Sequence, residues 1–153
     1  WKGRLVFKST RSKYKKVDSG GRYRNNIGKR IIHNTQWIKD YKFIITFENC
    51  SYPGYCTEKI GTGFKANTIP IYWGDPRVSE NYNDKSFINC NNYSDFDKAI
   101  EQIIELDNND DKYKQMLVEP WLINNKIPYE LSDENYIKRF NTILHEVRCK
   151  NSV

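Results

Sequence analysis

The chain is poor in the residues that announce most chemistries. It has 2 His, 4 Cys and 1 Met in 153 residues. His33 and His145 are far apart, with no Cys or Asp arrangement suggesting a triad or metal site. Cys50, Cys56, Cys90 and Cys149 form no C-x-x-C pair and lack zinc-finger spacing, which argues against a metal cluster. They permit three disulfide pairings, among which spacing does not choose, and buried free thiols are the ordinary expectation. No apolar run approaches the roughly 20 residues of a membrane span, since runs such as Phe43-Ile44-Ile45 are strand-sized. No leader-like segment opens the chain. There is no G-x-G-x-x-G and no G-x-x-x-x-G-K-[ST], which excludes the dinucleotide fingerprint and the Walker loop. With Met116 the only methionine and Trp1 at the start, the expectation is a piece of a longer reading frame.

Aromatic residues are plentiful at 14%, which excludes a chain too poor in anchors to fold. The length suits a single domain, taken as 1–153 with a helical tail over 121–153, able to bury about two-thirds of its unfolded surface. Charge is unevenly spread. Residues 1–42 carry 13 Lys and Arg against Asp18 and Asp40, a local +11 within a net +6. Such a segment suits either a polyanionic partner or a solvated lysine-rich face.

Periodicity predicts a basic helix over 2–14 and a short strand at 16–18 ended by Gly20-Gly21. One or two helical turns follow at 35–40, then an apolar strand over 43–47. Ser51-Tyr52-Pro53-Gly54-Tyr55 reads as a turn, and Thr57 as the N-cap of a helix to about Ala66. Strands at 68–73 and 87–90 follow, then helices at 95–106, 111–118 and 133–148. Asp95-Phe96-Asp97 reads as a cap, the stripe Tyr136, Ile137, Phe140, Ile143, Leu144, Val147 as packing surface, and Trp37, Trp73 and Trp121 as core or cleft aromatics. Strands alternating with helices imply an α/β fold, a doubly wound parallel sheet whose ligands bind beyond the strands' carboxyl ends.

The segment after strand 43–47 holds the densest set of ligand groups: Glu48-Asn49, the Tyr-Pro-Gly-Tyr turn, and Thr57-Glu58-Lys59 opening a helix. A strand, a turn and a helix N-terminus make a phosphate site, because unpaired helix N–H groups point outward. Neighbours on a helix do not face each other, so Glu58 and Lys59 can address different parts of one ligand.

The stretch Tyr41-Lys42-Phe43-Ile44-Ile45-Thr46-Phe47-Glu48-Asn49, then Gly54-Tyr55-Cys56-Thr57-Glu58-Lys59-Ile60, then Thr68-Ile69-Pro70-Ile71-Tyr72-Trp73-Gly74, resembles the donor-site signature of the family 10 fucosyltransferases. The likeness continues upstream through Val17-Asp18-Ser19-Gly20-Gly21 and Asn25-Asn26-Ile27-Gly28, and downstream to about Pro120, some three-quarters of the chain. The resemblance implies the Rossmann-like, C-terminal donor-binding lobe of a two-lobed GT-B glycosyltransferase. It implies inverting α-1,3/1,4 transfer of fucose from GDP-fucose to an acceptor oligosaccharide or glycoprotein, with no metal or other cofactor. By residue, it implies Arg4, Asn49, Tyr55 and Lys59 as contacts of the diphosphate and fucose, and Glu58 as the carboxylate that accepts hydrogen bonds from the ribose hydroxyls. The general base and the acceptor site would lie in the other lobe, and the first strand ahead of Arg4 also has no counterpart in this sequence. Cys50 and Cys56 stand where small or apolar residues are common in the family. A Golgi membrane enzyme is implied for a eukaryotic source, and a cytoplasmic or membrane-peripheral one for a bacterial or viral source. Nucleic acid is not an expected partner, while an uncovered strand edge makes self-association possible. Two other readings stay open from sequence: a basic polyanion binder with Tyr14, Tyr23 and Tyr41 interleaved for stacking, and an inactive remnant that still binds a GDP-sugar.

Overall fold

The structure is a computed structural model that describes residues 14–22, 25–31, 34–129 and 132–150. The basic helix expected over 2–14 and the candidate Arg4 lie outside the described residues. The order of elements is α1 (Asn34–Ile38), β1 (Phe43–Ile45), α2 (Glu58–Lys65), β2 (Ile69–Tyr72), β3 (Ile88–Asn89), α3 (Phe96–Asn108), α4 (Asp110–Val118) and α5 (Asp133–Lys150). The three strands form a parallel sheet in the order β1-β2-β3. Phe43 lies beside Ile69 and Ile45 beside Ile71, while Ile71 lies beside Ile88.

Proline is rarely tolerated in a central strand because it cannot donate to the ladder. Pro70 sits in β2 between two neighbours, and the register explains it. Ile69 N–H donates to Lys42 O and Thr46 N–H to Ile71 O, so residues 69 and 71 serve β1. Pro70 falls on the alternate positions that face β3, and β3 begins only opposite Ile71. The proline leaves no gap in the ladder.

Alternation along β2 splits the core in two, and this is what a doubly wound sheet requires. Ile69 and Ile71, with Phe47 and Ile88, pack against Ala99, Ile100, Ile103 and Leu106 of α3. On the opposite face, Tyr72 and Phe87 meet Ile60 and Phe64 of α2. Here α2 approaches closely: a Cβ at Gly63 would lie 2.9 Å from both Ile44 Cγ2 and Pro70 Cγ. The aromatic stack Tyr82–Phe64–Trp121, with centroids 5.9 and 5.1 Å apart, closes the outer side of α2. Trp37 rests edge-on against Tyr41 at 4.9 Å.

Helix ends follow local chemistry. Asp95 caps α3, its carboxylate accepting from Asp97 N and Lys98 N at 2.9 and 3.2 Å, which agrees with the cap read from sequence. Asn109 ends α3 and caps α4 through Lys112 N at 3.0 Å. Asp107, near that junction, accepts from Lys15 Nζ at 2.5 Å and Tyr14 OH at 3.1 Å. Partial burial pushes its carboxyl up, but the Lys15 and Tyr14 hydrogen bonds and the nearby ammonium charges outweigh that and hold it below the usual carboxylate range. A depressed carboxyl stabilises the fold above its unfolded-state pKa and loses that contribution as pH falls through the folded-state value. Because Lys15 is well exposed, Asp107→Asn should lower stability by about 1 kcal/mol or less near pH 7. The gap should close as pH falls below the usual carboxylate range and through the lowered folded-state value, as read by urea unfolding across pH.

Three expectations are corrected. No strand forms at 16–18. Side-chain amides take the backbone groups a neighbouring strand would use: Asn26 Nδ2 donates to Val17 O, and Ser19 N–H donates to Asn26 Oδ1. Thiol burial holds for Cys90, whereas Cys50 is exposed and Cys56 half-buried, and all three are free. The stripe on α5 is not packed, since Tyr136, Ile137, Phe140, Ile143 and Leu144 are each at least 48% exposed. Among the described residues no helix is long and apolar enough to cross a membrane.

Candidate functional site

Three connections meet at the carboxyl end of the sheet: residues 46–57 after β1, 73–77 after β2, and 90–92 after β3. Strand pairing runs on past β1, because Glu48 N–H donates to Trp73 O at 2.8 Å. Ser51 Oγ donates to Gly74 O at 2.7 Å. Gly74 N–H donates to Asn91 Oδ1, whose amide donates in turn to Asp75 O. Parallel α/β sheets bind ligands at this edge.

The turn at 52–55 is a type II turn. Tyr55 N–H donates to Tyr52 O at 3.0 Å, Pro53 takes the second position, and Gly54 adopts φ 83° at the third. Glycine holds that conformation with the least strain. Asp75, 4% exposed, anchors the turn: its Oδ1 accepts from Gly54 N at 2.8 Å and Arg77 N at 2.9 Å. Tyr72 OH in turn accepts from Asp75 N at 3.0 Å, and burial pushes that phenol well above its ordinary range. Tyr55 projects from this anchored turn and is 36% exposed.

Lys59 points back from the first turn of α2 to the end of β1. Its Nζ donates to Glu48 Oε2 at 2.9 Å and approaches Asn49 Oδ1 at 3.4 Å. Asn49 and Lys59 are therefore brought together, while Glu58 is exposed on α2 and does not share the Lys59 ion pair. Glu48, counted among the ligand groups in sequence but given no role there, is 2% exposed, and its carboxylate also accepts from Thr57 N at 2.8 Å and from Thr57 Oγ1 at 2.8 and 2.9 Å. It takes the amide of Thr57, the N-cap position of α2, so a protein carboxylate stands beside the helix start expected to meet a phosphate. The available signal was a charged residue directly after an almost wholly apolar strand.

The remaining groups are structural. Trp73 packs on Phe47 at 6.1 Å as part of the α3-side core. Burial pushes the Cys90 thiol up to about 12 and raises that of Cys56. Among the described residues no three His, Cys, Asp or Glu side chains converge as metal ligands.

The family profile described as glycosyltransferase family 10 (fucosyltransferase), C-terminal part, matches residues 2–146. The chain is 41% identical over 103 residues to the alpha-(1,3)-fucosyltransferase FucT of Helicobacter pylori, covering 67% of this chain and 22% of that one. It is 34% identical over 136 residues to a putative fucosyltransferase, R654, of Acanthamoeba polyphaga mimivirus, covering 81% and 23%. A solved α1,3-fucosyltransferase with GDP-fucose superimposes with a TM-score of 0.87 at 35% identity, covering 94% of this chain and 44% of that chain. The chain thus spans less than half the length of each of these relatives. The architecture is the α/β fold of a GT-B enzyme, and the chain belongs to glycosyltransferase family 10, the fucosyltransferases, as their C-terminal part.

Proposed function

We propose that this chain is the donor-binding lobe of an inverting α-1,3-fucosyltransferase. Arg4 and Lys59 offset the diphosphate charge of GDP-fucose, Glu58 accepts from the ribose hydroxyls, and Asn49 and Tyr55 position the sugar phosphate. The supporting observation is the meeting of Asn49 and Lys59 at the carboxyl end of the parallel sheet, within 3.4 Å of each other. In the transfer an acceptor hydroxyl oxygen bonds to the fucose anomeric carbon from the side opposite the phosphate. The carbon–oxygen bond to GDP breaks, GDP leaves with the electron pair, and a base outside this chain takes the hydroxyl proton. Cationic donors stabilise charge growing on the leaving phosphate, because charge-assisted hydrogen bonds are about twice as strong as neutral ones. The acceptor is an oligosaccharide or glycoprotein held by the other lobe.

Calorimetric titration tests the reading. GDP-fucose and GDP should bind saturably and GDP-mannose more weakly, with a modest salt dependence that a polyanion binder would not share. Lys59→Ala should weaken GDP-fucose by about 1.5–3 kcal/mol, roughly 10- to 150-fold. Unchanged affinity in that variant would remove Lys59 from the site.

A further inference from the structure

We infer that Glu48 is a positioning residue of the donor site: it holds the Lys59 ammonium in the orientation that meets a nucleoside diphosphate. The inference rests on the donor-site reading above and adds to it the residue that readies Lys59.

Two departures from ordinary local design serve this one carboxylate. Thr57 stands at the N-cap position of α2 and is a residue type that normally caps its helix, yet it makes no side-chain cap bond there. Its hydroxyl turns instead to Glu48, at 2.8 and 2.9 Å from the two carboxylate oxygens. On the opposite side Gly74 clears space for the Glu48 stem, since a Cβ there would lie 2.5 Å from Glu48 Cγ and 2.6 Å from its Cβ. Stability alone does not call for such an arrangement, because buried ion pairs are commonly replaceable by apolar groups without loss.

The arrangement does supply direction. The Glu48 side chain is 0% exposed and that of Lys59 is 25% exposed, so the ammonium lies between the carboxylate and solvent. Lysine carries three N–H donors on a flexible stem. Glu48 Oε2 takes one at 2.9 Å and Asn49 Oδ1 lies near another, which leaves donor capacity toward solvent. A lysine already held gives up little rotamer freedom when an anion arrives, and affinity rises by that saving.

Calorimetric titration of the purified protein with GDP, in a double-mutant cycle of E48Q, K59A and both together, tests the proposal. In E48Q the side-chain amide can still accept from Thr57, but it turns an N–H toward the Lys59 ammonium or loses it. E48Q is expected to weaken GDP about tenfold, and to weaken it no further in the K59A background. Affinity within twofold of the unsubstituted protein, tighter binding, or the same loss with and without Lys59 would overturn the role. If E48Q does not fold, E48D replaces it; the retracted carboxylate cannot span Thr57 and Lys59, and the same pattern is expected. A reading that needs no Glu48 variant is the 15N-lysine NMR spectrum of the unsubstituted protein. The Lys59 ammonium signal, identified by its loss in K59A and recorded at acidic pH and low temperature where exchange is slow, should stand apart from those of the solvated lysines, and coincidence with them would overturn the inference. Should K59A itself leave GDP binding unchanged, the donor-site reading fails at Lys59. If K59A weakens binding and E48Q does not, only the role of Glu48 fails.

Discussion

Gly74→Ala is expected to lower the unfolding free energy by about 3–5 kcal/mol and the melting temperature by roughly 10 °C. The added methyl would lie 2.5 Å from Glu48 Cγ, 2.6 Å from Glu48 Cβ and 3.1 Å from Tyr72 OH. The two nearest of these atoms are the root of a side chain, not a flexible end that can swing aside. Glu48 is also fixed by its own N–H, which donates to Trp73 O one residue before the substitution. Relief therefore requires either parting the β1–β2 connections or moving a buried carboxylate off Thr57 and Lys59. Overpacking alone costs about 1–3 kcal/mol, and breaking a buried ion pair about 3–5. Gly61→Ala in α2 is the control. A Cβ there meets nothing within 4 Å, so helix propensity should make that change neutral or stabilising by up to about 1 kcal/mol. Denaturant unfolding of both variants reads the difference, and a loss under about 1 kcal/mol at Gly74 would show that the two connections part more easily than the 2.5 and 2.6 Å approaches imply.

Much of this architecture was legible because it is local. The apolar stretches around Phe43–Ile45 and Ile69–Tyr72, the Asp95 cap, the start of α2 after Thr57 and the Pro53-Gly54 turn each depend on residues within a few positions of one another. The site is held by contacts that are not local. Glu48 and Lys59 are eleven residues apart, and their meeting depends on how the 49–56 connection folds over the sheet edge. Asp75 reads as part of a Gly-Asp-Pro stop signal, and only the folded chain turns its carboxylate toward Gly54. The same limit explains the corrections. Val17-Asp18 has strand-like letters, but the amide of Asn26, nine residues on from Val17, claims the Val17 carbonyl. Helical spacing on α5 identifies a stripe without saying what covers it. Membership of family 10 was legible from the ordered stretch 41–74, since a long signature carries information that spacing rules do not.

The Thr57 amide, just ahead of α2, is already taken, which changes how a diphosphate would be met. Sequence suggests a helix dipole addressing phosphate directly, but the Glu48 carboxylate already takes the Thr57 amide. The amides of the first turn are then joined by a side-chain cation, with Lys59 held by Glu48 at 2.9 Å. A side-chain cation can reach the leaving oxygen as charge builds, whereas a helix terminus acts only within its first turn.

Asp75→Ala is expected to cost about 3 kcal/mol of stability and to weaken GDP-fucose binding as well. The carboxylate is 4% exposed and accepts from two backbone amides, Gly54 N at 2.8 Å and Arg77 N at 2.9 Å. Hydrogen bonds to a charged acceptor contribute about 1.5–3 kcal/mol each, and part of that returns as water reaches the exposed turn. Asp75→Asn should lose only about 1 kcal/mol, because its amide oxygen can still accept from both amides and only the charge is gone. Urea unfolding separates the two variants, while titration with GDP-fucose asks whether the anchor matters to the ligand. Gly54 sits one residue before Tyr55, so freeing its N–H lets the type II turn move as a unit with the tyrosine it presents. A variant that is less stable yet binds GDP-fucose within twofold of the unsubstituted protein would mean that Pro53 and Gly54 fix Tyr55 by themselves. A parallel loss of both would tie the end of β2 to the ligand through one buried carboxylate.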